Sequence, residues 1–460
     1  MKKILLLVLF CIYSLINAQN DSVISTKVIN EITEFVENKR AYYNLPSVAV
    51  AITDENNTVY LKHFGDAKKG DKYLIGSNAK SFTALLTILL QEKGMLNIND
   101  PVNTHLEWFT YNNKSISDKI TIKNLLHHTS GISTEIGATF RDSNAGFDYV
   151  EYYSRILKKM ELSTLPEQPY IYSNANYRLL GLIIENVTGK TYEDCLKTYI
   201  TKPMGLNSTL ANVDPDLIDS YQYFLYYPIL KFNKGFHSQE IPSGLIASSA
   251  GDMAIYLRHL MNSYNTNSNT VLDPKLTKQL FTPNANNRSG YGLGWRIFND
   301  VFYHSGSNKS FESSMYMLPS INKSVVVLIN SNQAPSTAIT DGIASILLDQ
   351  KYNDASSFPY YRSLPFIVLI LLVLFLFSFK KWKRLNFTTK LSKKLIPNAL
   401  LILGFTLAIA ISIYIPKLNG ASLKTAIQFD PTSGYSLILT TLLLCATFLI
   451  LYFNKSRTIA

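Results

Sequence analysis

The chain has 460 residues and carries 44 lysines and arginines against 33 acidic residues, a formal net charge of +11. Twelve of these basic residues and a single acidic one, Asp430, lie from residue 361 onward, so the first 360 residues have no net charge. Nucleic-acid binding by that part of the chain has little support, because no basic domain is available to neutralise phosphates. Of the three cysteines, Cys11 lies in the apolar stretch near the N-terminus and Cys445 in a C-terminal apolar run, so Cys195 has no partner for an internal disulfide in the segment between them, and no zinc-binding spacing occurs. We expect no cofactor and no metal.

The first 18 residues have the composition of a secretory signal peptide. Lys2 and Lys3 precede an apolar stretch, and a small residue, Ala18, precedes Gln19. This pattern predicts cleavage between Ala18 and Gln19, and therefore export of the segment that follows.

Three long apolar runs occupy the C-terminal hundred residues, at about 364–379, 395–415 and 435–453. The second and third are long enough to span a bilayer, and the first is at the lower limit. Seven basic residues lie between the first two runs, and two more follow the third run. By the positive-inside rule the 380–394 loop and the C-terminus face the cytoplasm, which places residues 19–360 outside. The sequence thus predicts a signal peptide (1–18), an exported domain (19–360) and a membrane region with three transmembrane helices (361–460).

Within the exported segment, hydrophobic periodicity and turn residues predict a mixed α/β fold. The expected helices are one within 24–42, one from Ser77 to about Lys93, a short one at Ile120–His128, and others at Tyr177–Val187, Ala250–Met261 and Thr337–Leu348. The expected strands are Ser47–Thr53, Thr58–Phe64, one after Trp295, Val301–His304, Met315–Leu318 and Ser324–Asn330. Residues 133–168 are polar and aromatic, as in a wall or lid over a site, and a loop-rich stretch leads to Ser243–Gly244. Strands at both ends of the segment predict one sheet built from both chain ends, with a helical insert between them.

The Ser77-x-x-Lys80 tetrapeptide opens an apolar run typical of a buried helix. A serine in the first turn of a helix lies where the helix dipole favours developing negative charge. Ser77 and Lys80 would share a helix face, which brings an amine beside a hydroxyl, as a serine nucleophile with a lysine base requires. The tetrapeptide recurs at Ser320/Lys323 and Ser378/Lys381, so the assignment depends on its partners.

Two further motifs follow in order, Tyr172-x-Asn174 and His304–Ser305–Gly306. With these three motifs, residues 25–350 resemble the penicillin-recognising serine hydrolases, that is, serine β-lactamase-like and penicillin-binding-protein-like enzymes. Within these, the sequence is similar to the branch of class C β-lactamases, D,D-peptidases and esterases. Supporting stretches are His128–Gly131, Ile241–Gly244 and Gly290–Trp295. The resemblance implies a β-lactamase/transpeptidase-like antiparallel sheet with flanking helices and an all-helical insert.

The resemblance also implies a role for each motif residue. Ser77 would form an acyl-enzyme, and either Lys80 or Tyr172 would be its base, the two titrating as a coupled pair. Asn174 would bind Lys80 and a substrate amide. His304, Ser305 and Gly306 would contact substrate, and the backbone N–H groups of Ser77 and Ser307 would form the oxyanion hole. We expect His128 to be structural.

The third motif departs from the lysine usual in β-lactamases and D,D-peptidases. Histidine at position 304, with a reference pKa near 6.5, is mostly neutral at pH 7 and is not a permanent cation for a substrate carboxylate. A histidine occurs in esterase- and aminopeptidase-like relatives, so the departure favours those activities over strong β-lactamase activity.

These inferences predict a multi-pass protein of the bacterial cytoplasmic membrane with its catalytic domain on the periplasmic side. Its substrate would be a small peptide or ester, including D-amino-acid-containing fragments derived from peptidoglycan. The activity would be of esterase, D-aminopeptidase or D,D-carboxypeptidase type. The alternative is a non-catalytic penicillin-binding-like sensor that signals through the membrane. A further alternative, transport by the tail, lacks ionisable residues inside the apolar runs.

Overall fold

The computed structural model describes residues 24–138, 148–160, 169–212, 216–224, 227–232, 237–266, 271–284, 289–332, 336–352 and 431–456, with six single positions between 402 and 427. The chain divides into two compact units. One comprises residues 1–220 and 233–354, and the other comprises residues 221–232 and 355–460.

The first unit contains a six-stranded antiparallel sheet of order β2-β1-β10-β9-β8-β7. Its strands are β1 (Ser47–Thr53), β2 (Thr58–Gly65), β7 (Arg296–Phe298), β8 (Val301–Ser307), β9 (Glu312–Leu318) and β10 (Lys323–Ile329). Two shorter strands, β3 (Tyr73–Leu74) and β6 (Ala247–Ser248), pair with each other. Because β1 lies inside the sheet, it is buried along its whole length, whereas β2 at the edge has exposed positions.

Helices cover the sheet and form the insert. They are α1 (Thr26–Tyr42), α2 (Ala79–Glu92), α3 (Val102–His105), α4 (Lys114–Ser117), α5 (Ile122–Leu126), α6 (Thr134–Gly137), α7 (Tyr149–Leu157), α8 (Asn174–Thr188), α9 (Tyr192–Leu196), α10 (Lys202–Met204), α11 (Ile241–Gly244), α12 (Ala250–Thr266), α13 (Pro274–Leu280) and α14 (Ser336–Leu347). Short 3₁₀ turns span Gly76–Asn78, Ser238–Glu240 and Pro319–Ile321, and a π turn spans Lys197–Thr201.

The main core lies between the sheet and the insert. Alternate residues of the central strands, such as Ala49, Ala51, Val326 and Leu328, belong to one large apolar cluster with α2 and α8. The intervening residues point to the other face, as the period of two along a strand requires. On that face α14 contacts β9, β10 and α1. Both faces are covered, which explains the nearly continuous apolar sequences of β1 and β10.

The predicted sheet is confirmed for the first unit, since it combines strands from both chain ends. The expectation of an all-helical insert was wrong, because the mostly helical segment between these strands also contains the paired strands β3 and β6, which are too short to show a period of two.

Several boundaries were wrong. α8 begins at Asn174 rather than Tyr177, because its first turn is polar and gives no hydrophobic period. β8 continues to Ser307 rather than ending at His304, β9 begins at Glu312 rather than Met315, and α12 continues to Thr266 rather than ending at Met261. The stretch treated as loop-rich contains several short elements. Thr191, for example, caps α9 by accepting from the Asp194 amide, although α9 is too short to show a period.

The second unit contains two described elements. One is the hairpin of β4 (Ser220–Phe224) and β5 (Tyr227–Phe232), of which residues 221–232 belong to this unit, and the other is a helix, α15 (Pro431–Ser456). Within this unit the Thr432 hydroxyl donates to the Tyr223 carbonyl at 3.4 Å. The sequence-based boundaries had assigned residues 221–232 to the exported domain.

The predicted leader, 1–18, and the first apolar run, 364–379, lie outside the described residues, as does nearly all of the second. The third, 435–453, lies within α15. No helix within the described ranges qualifies as a membrane span. The three spans stay a prediction.

Candidate active site

Ser77 and Lys80 are brought together at the start of α2. Ser77 lies in the 3₁₀ turn that leads into the helix and is partly exposed, whereas the Lys80 side chain is fully buried. The Lys80 Nζ and the Ser77 Oγ are 3.0 Å apart. A reachable hydroxyl therefore contacts an amine that is shielded from water, which is the arrangement expected of a nucleophile and its base.

Two acceptors from distant segments fix the Lys80 amine. Its Nζ donates to Asn174 Oδ1, at 2.7 Å, and to the Ser243 carbonyl, at 2.5 Å. Asn174 begins α8 and Ser243 lies in α11. A neutral amine has two N–H donors and one lone pair. With both donors engaged, the lone pair of a neutral Lys80 is left for the Ser77 hydroxyl proton.

The electrostatic environment favours this neutral form. Burial lowers the pKa of Lys80 well below that of a free lysine, and the Arg178 and Arg296 cations lower it further. No described carboxylate is among Lys80's hydrogen-bond partners. The amine can therefore act as a base near neutral pH, which a free lysine, with a pKa of about 10.4, cannot.

Tyr172 lies on the other side of the pair. The Lys80 Nζ is 4.9 Å from the centre of the Tyr172 ring, and the tyrosine hydroxyl hydrogen-bonds with the Ser77 side chain. Burial raises the pKa of Tyr172 far above that of a free tyrosine, and the Ser77 bond opposes this only in part. The tyrosine thus keeps its proton, and the site has one neutral amine and one neutral phenol beside the nucleophile.

His128 supports the segment that carries Tyr172 and Asn174. Its Nδ1 accepts from the Ser173 amide at 3.2 Å and from the Asn176 amide group at 3.0 Å. The centre of its ring lies 4.4 Å from that of Tyr172, with the two rings tilted by 41°, and its φ of +59° is rare for a residue other than glycine. The side chain is fully buried, so its geometry agrees with the expected structural role.

Two glycines let strand β8 approach the nucleophile turn. A Cβ on Gly76 would lie 2.6 Å from the Ser307 backbone nitrogen, and one on Gly306 would lie 2.0 Å from the Ile75 carbonyl oxygen. Only glycine fits at such distances. The Ser313 hydroxyl stabilises this contact by donating a hydrogen bond to the Ile75 carbonyl at 2.7 Å. The Ser307 N–H is therefore held beside the turn that carries Ser77, where an oxyanion hole would require it.

His304 does not have the position of a substrate ligand, because it is buried and both of its ring nitrogens are engaged. Nδ1 lies 2.7 Å from the Ser305 carbonyl and Nε2 lies 3.1 Å from the Tyr291 hydroxyl. Burial, followed by Lys80 and Arg296, lowers the pKa of His304 to about 3. His304 is thus a neutral structural side chain behind the site. Ser305 and Ser307 alternate with it along β8 and are the more accessible residues.

Sequence reasoning missed Arg296. Its guanidinium lies 5.8 Å from the centre of the Tyr172 ring and 5.7 Å from that of Tyr291. It is half-buried and directly follows Trp295 of the glycine-rich stretch, at the start of β7. The sequence did offer a signal for Arg296, because it is a basic residue directly after the glycine-rich stretch and on a predicted strand next to the one that carries His304.

The other two Ser-x-x-Lys matches differ from the first. Ser320 lies in a 3₁₀ turn and Lys323 begins β10, so the two do not share a helix face. Ser378 and Lys381 lie outside the described residues. Among the described residues, Ser77 is the only serine of these matches that has its lysine within hydrogen-bond distance.

Comparison with known proteins agrees with this geometry. Residues 32–349 match the Beta-lactamase family. Protein flp of Staphylococcus aureus (strain MRSA252) is 28% identical over 406 residues, covering 83% of this chain and 81% of that protein. Penicillin-binding protein 4* of Bacillus subtilis (strain 168) is 28% identical over 348 residues, covering 66% of this chain and 73% of that protein.

Among solved structures, a D-stereospecific amidohydrolase from Streptomyces sp. superposes with a TM-score of 0.56 at 20% identity. The match covers 68% of this chain and 97% of that chain. It shows the shared fold. Because the family match extends over more than half of the sequence and includes the three motifs, the chain belongs to the Beta-lactamase family of serine hydrolases.

Proposed function

We propose that this chain is an exported, membrane-anchored serine hydrolase that acts through an acyl-enzyme on Ser77. The observation that carries the proposal is the contact of a partly exposed Ser77 Oγ with a fully buried Lys80 amine at 3.0 Å. A buried lysine with no carboxylate among its described partners is costly in a merely structural role, whereas a lysine that acts as a base requires such an environment to be neutral.

In acylation, the neutral Lys80 amine accepts the Ser77 proton while Oγ attacks the substrate carbonyl. The N–H groups of Ser77 and Ser307 stabilise the oxyanion of the tetrahedral intermediate. As the intermediate collapses, the leaving amine or alcohol takes a proton from the Tyr172 hydroxyl, and the Lys80 ammonium, 4.9 Å from the centre of the Tyr172 ring, returns a proton to the tyrosine. In deacylation, water attacks the ester and gives a proton to the neutral amine, and the resulting ammonium returns that proton to the Ser77 oxygen as the acid product leaves. Opposite pKa shifts at Lys80 and Tyr172 support this division of roles, which the sequence left open.

The substrate proposed is a small peptide that ends in a carboxylate, such as a D-amino-acid-containing fragment of the cell wall. His304 is neutral and enclosed, but Arg296 supplies a permanent cation at the same edge of the sheet. Ser305 is accessible on β8, the strand that pairs with β7, and can add a hydroxyl donor. The name of the Streptomyces enzyme, a D-stereospecific amidohydrolase, agrees with a substrate of this kind.

Export and membrane anchoring are proposed from sequence. The 1–18 leader and the three apolar runs give the same orientation, because the positive-inside rule and the leader both place residues 19–360 on the periplasmic side. The catalytic domain would then meet peptidoglycan fragments at the outer face of the cytoplasmic membrane.

Intact mass tests the nucleophile. The full-length protein in detergent is incubated with a fluorophosphonate, beside a Ser77→Ala variant and a Ser320→Ala control. We expect one phosphonyl adduct in the wild type and the control, and none in Ser77→Ala. An unlabelled wild type, or a labelled Ser77→Ala variant, would refute the proposed mechanism and favour a non-catalytic binding protein.

A further inference from the structure

A second buried charge lies one helical turn beyond Asn174. Arg178 on α8 is completely buried, and its guanidinium lies 5.2 Å from the centre of the Tyr149 ring. Its Nη1 donates to the Tyr153 hydroxyl at 3.3 Å, and its Nη2 lies 4.0 Å from a carboxylate oxygen of Glu240, which is also buried. None of these residues belongs to the motifs from which the site was predicted.

This cluster is joined to the catalytic lysine through one residue. The Ser243 carbonyl accepts from Lys80, while the Ser243 hydroxyl accepts from the Arg178 Nε at 3.3 Å and donates to the Glu240 carbonyl at 2.8 Å. The turn is held closely against α8, because a Cβ on Gly181 would lie 2.4 Å from Pro242. Arg178 therefore has a fixed position behind the Lys80 amine.

The charge on Arg178 is permanent. Neighbouring tyrosines and Glu240 hold the pKa of its guanidinium above the ordinary value despite burial. A buried ion pair of this kind is weak evidence for stability, because desolvation of both ions offsets their attraction, and apolar side chains of similar volume often stabilise as well or better. A role in setting the protonation state of a neighbouring group accounts better for a buried arginine at this place.

We propose that Arg178 is a positioning residue whose buried charge, transmitted across the Ser243 turn, keeps the Lys80 amine neutral and directed at Ser77. The inference rests on the proposed function and extends it. A cation enclosed on the far side of the turn disfavours a second cation at Lys80, and the low local dielectric makes this repulsion effective. Of the charges around Lys80, Arg178 is the one that lowers the pKa of that amine most, after burial itself.

Other titratable groups also face the amine, and they must be held constant in any test. Tyr172 and Tyr177 lie 4.9 and 5.6 Å from Lys80 Nζ, measured to the ring centres. Arg296 and His304 lie on the sheet side, and His128 lies behind Tyr172. Glu240 is the anion of the cluster, and the Tyr149 hydroxyl donates to it. Removing Arg178 alone would leave that carboxylate buried without its cation, so the informative change removes both charges.

The test is the pH dependence of Ser77 labelling by a fluorophosphonate in the full-length protein in detergent. In Arg178→Met/Glu240→Gln we expect the acidic limb of the pH–rate profile for labelling to lie about one pH unit higher than in the wild type. At a pH below this limb, labelling should then be about tenfold slower. The limb should not move up in Glu240→Gln, which keeps the cation, or in Tyr153→Phe, which removes only a hydrogen bond to it. A purely structural role would change the amount of folded protein but not the position of the limb.

Each outcome decides between the two proposals. An acidic limb at the same pH in wild type and double variant overturns the role of Arg178 and leaves the nucleophile assignment intact. No labelling of the wild type at any pH overturns the proposed function and this inference with it. If the double variant does not fold, Arg178→Gln/Glu240→Gln replaces it, since glutamine removes both charges and keeps polar groups beside Tyr153 and Tyr149. An upward shift of the limb by about one unit then supports the inference, and an unshifted limb contradicts it.

Discussion

At the scale of single residues, one environment shifts two groups in opposite directions. Burial lowers the pKa of Lys80 because its charged form is the cation, and it raises the pKa of Tyr172 because its charged form is the anion. Both groups are therefore neutral beside the Ser77 hydroxyl. The site thus has a proton acceptor and a proton donor, with no carboxylate among the described hydrogen-bond partners of Lys80.

Arg296 gives a prediction about substrate choice. Arg296→Gln should raise the KM for a peptide that ends in a free carboxylate by about 10- to 100-fold, because a hydrogen bond to a charged group contributes about 1.5–3 kcal/mol. The KM for the same peptide with an amidated C-terminus should change much less. Both are measured by amide hydrolysis at one pH.

The matched control for this experiment is Arg258→Gln. Arg258 is an arginine of α12 whose guanidinium lies at the Asn56 carbonyl, away from the site. Equal losses for the two peptides in Arg296→Gln would show that the arginine does not recognise the carboxylate.

Glu312 gives a prediction about stability. It is opposite Ser307 in the sheet, and its side chain hydrogen-bonds with those of Ser307 and Ser336. Burial raises the pKa of Glu312 from 4.5 to about 8, so the folded state binds a proton that the unfolded state has released. Its contribution to the free energy of unfolding is therefore full below pH 4.5 and is lost as the pH rises toward and through about 8.

Glu312→Gln should remove this pH dependence. Denaturant unfolding between pH 4 and 9 should show the variant gaining stability relative to the wild type as the pH rises. Glu107→Gln, at an exposed position, is the control. A constant difference between Glu312→Gln and wild type across this range would contradict the assignment.

At the scale of elements, the site depends on how closely a strand end can approach a helix start. The β8 backbone at Gly306 and the turn at Gly76 meet without side chains between them. The sheet thereby delivers Ser307 to α2, while α8 delivers Asn174 and α11 delivers the Ser243 carbonyl. Four elements converge on one amine and one hydroxyl, and none of them makes the site alone.

Gly306→Ala should therefore impair the site strongly. The added methyl would lie 2.0 Å from the Ile75 carbonyl oxygen, which belongs to backbone and cannot rotate away. We expect at least about 1–3 kcal/mol of destabilisation and a fall of about 100-fold or more in the rate of Ser77 labelling. Thermal unfolding and labelling kinetics measure the two effects.

Gly251→Ala is the control for this change. Gly251 lies in the first turn of α12, where an added Cβ would come no closer than 3.8 Å to a neighbour. It should leave labelling unchanged and be neutral or stabilising in the helix. Normal labelling in Gly306→Ala would show that the close approach of β8 is not required.

At the scale of the whole molecule, strands from the two ends of the first unit pair with each other in its sheet. β1, from the start of the unit, pairs with β10, from near its end, with Val50 opposite Val327. The pairing brings the Ser77 turn and the β8 strand into one structure although more than 200 residues separate them. The proposed nucleophile, base and oxyanion donors, together with Arg296, thus belong to one fold.

The membrane proposal is also a property of the whole chain, and cysteine accessibility tests it. In a variant with Cys195 and Cys445 replaced by serine, an impermeant maleimide added to spheroplasts should label Ser422→Cys, between the second and third apolar runs. It should label Thr388→Cys, in the basic loop, only after permeabilisation. Labelling of Thr388→Cys in intact spheroplasts would contradict the predicted orientation.

The sequence by itself determined the family and the joining of strands from both chain ends in one sheet. It also indicated the centre of the candidate site, because the spacing of Ser77 with Lys80 and of Tyr172 with Asn174 is local, within one turn of a helix or one tripeptide. The hydrophobic patterns that predicted α1, α2, α12 and β10 are local in the same way, since the burial of one or both faces of an element determines which of its own residues are apolar.

Only the tertiary structure decided what depends on contacts between distant segments. It showed that His304 is enclosed by Tyr291 and held neutral, that Arg296 supplies the cation at the sheet edge, and that Arg178 lies behind Lys80. It also showed short elements such as α9 and α11, which carry no period of their own. Desolvation and through-space charge fix these properties, and neither can be read from the spacing of residues along the chain.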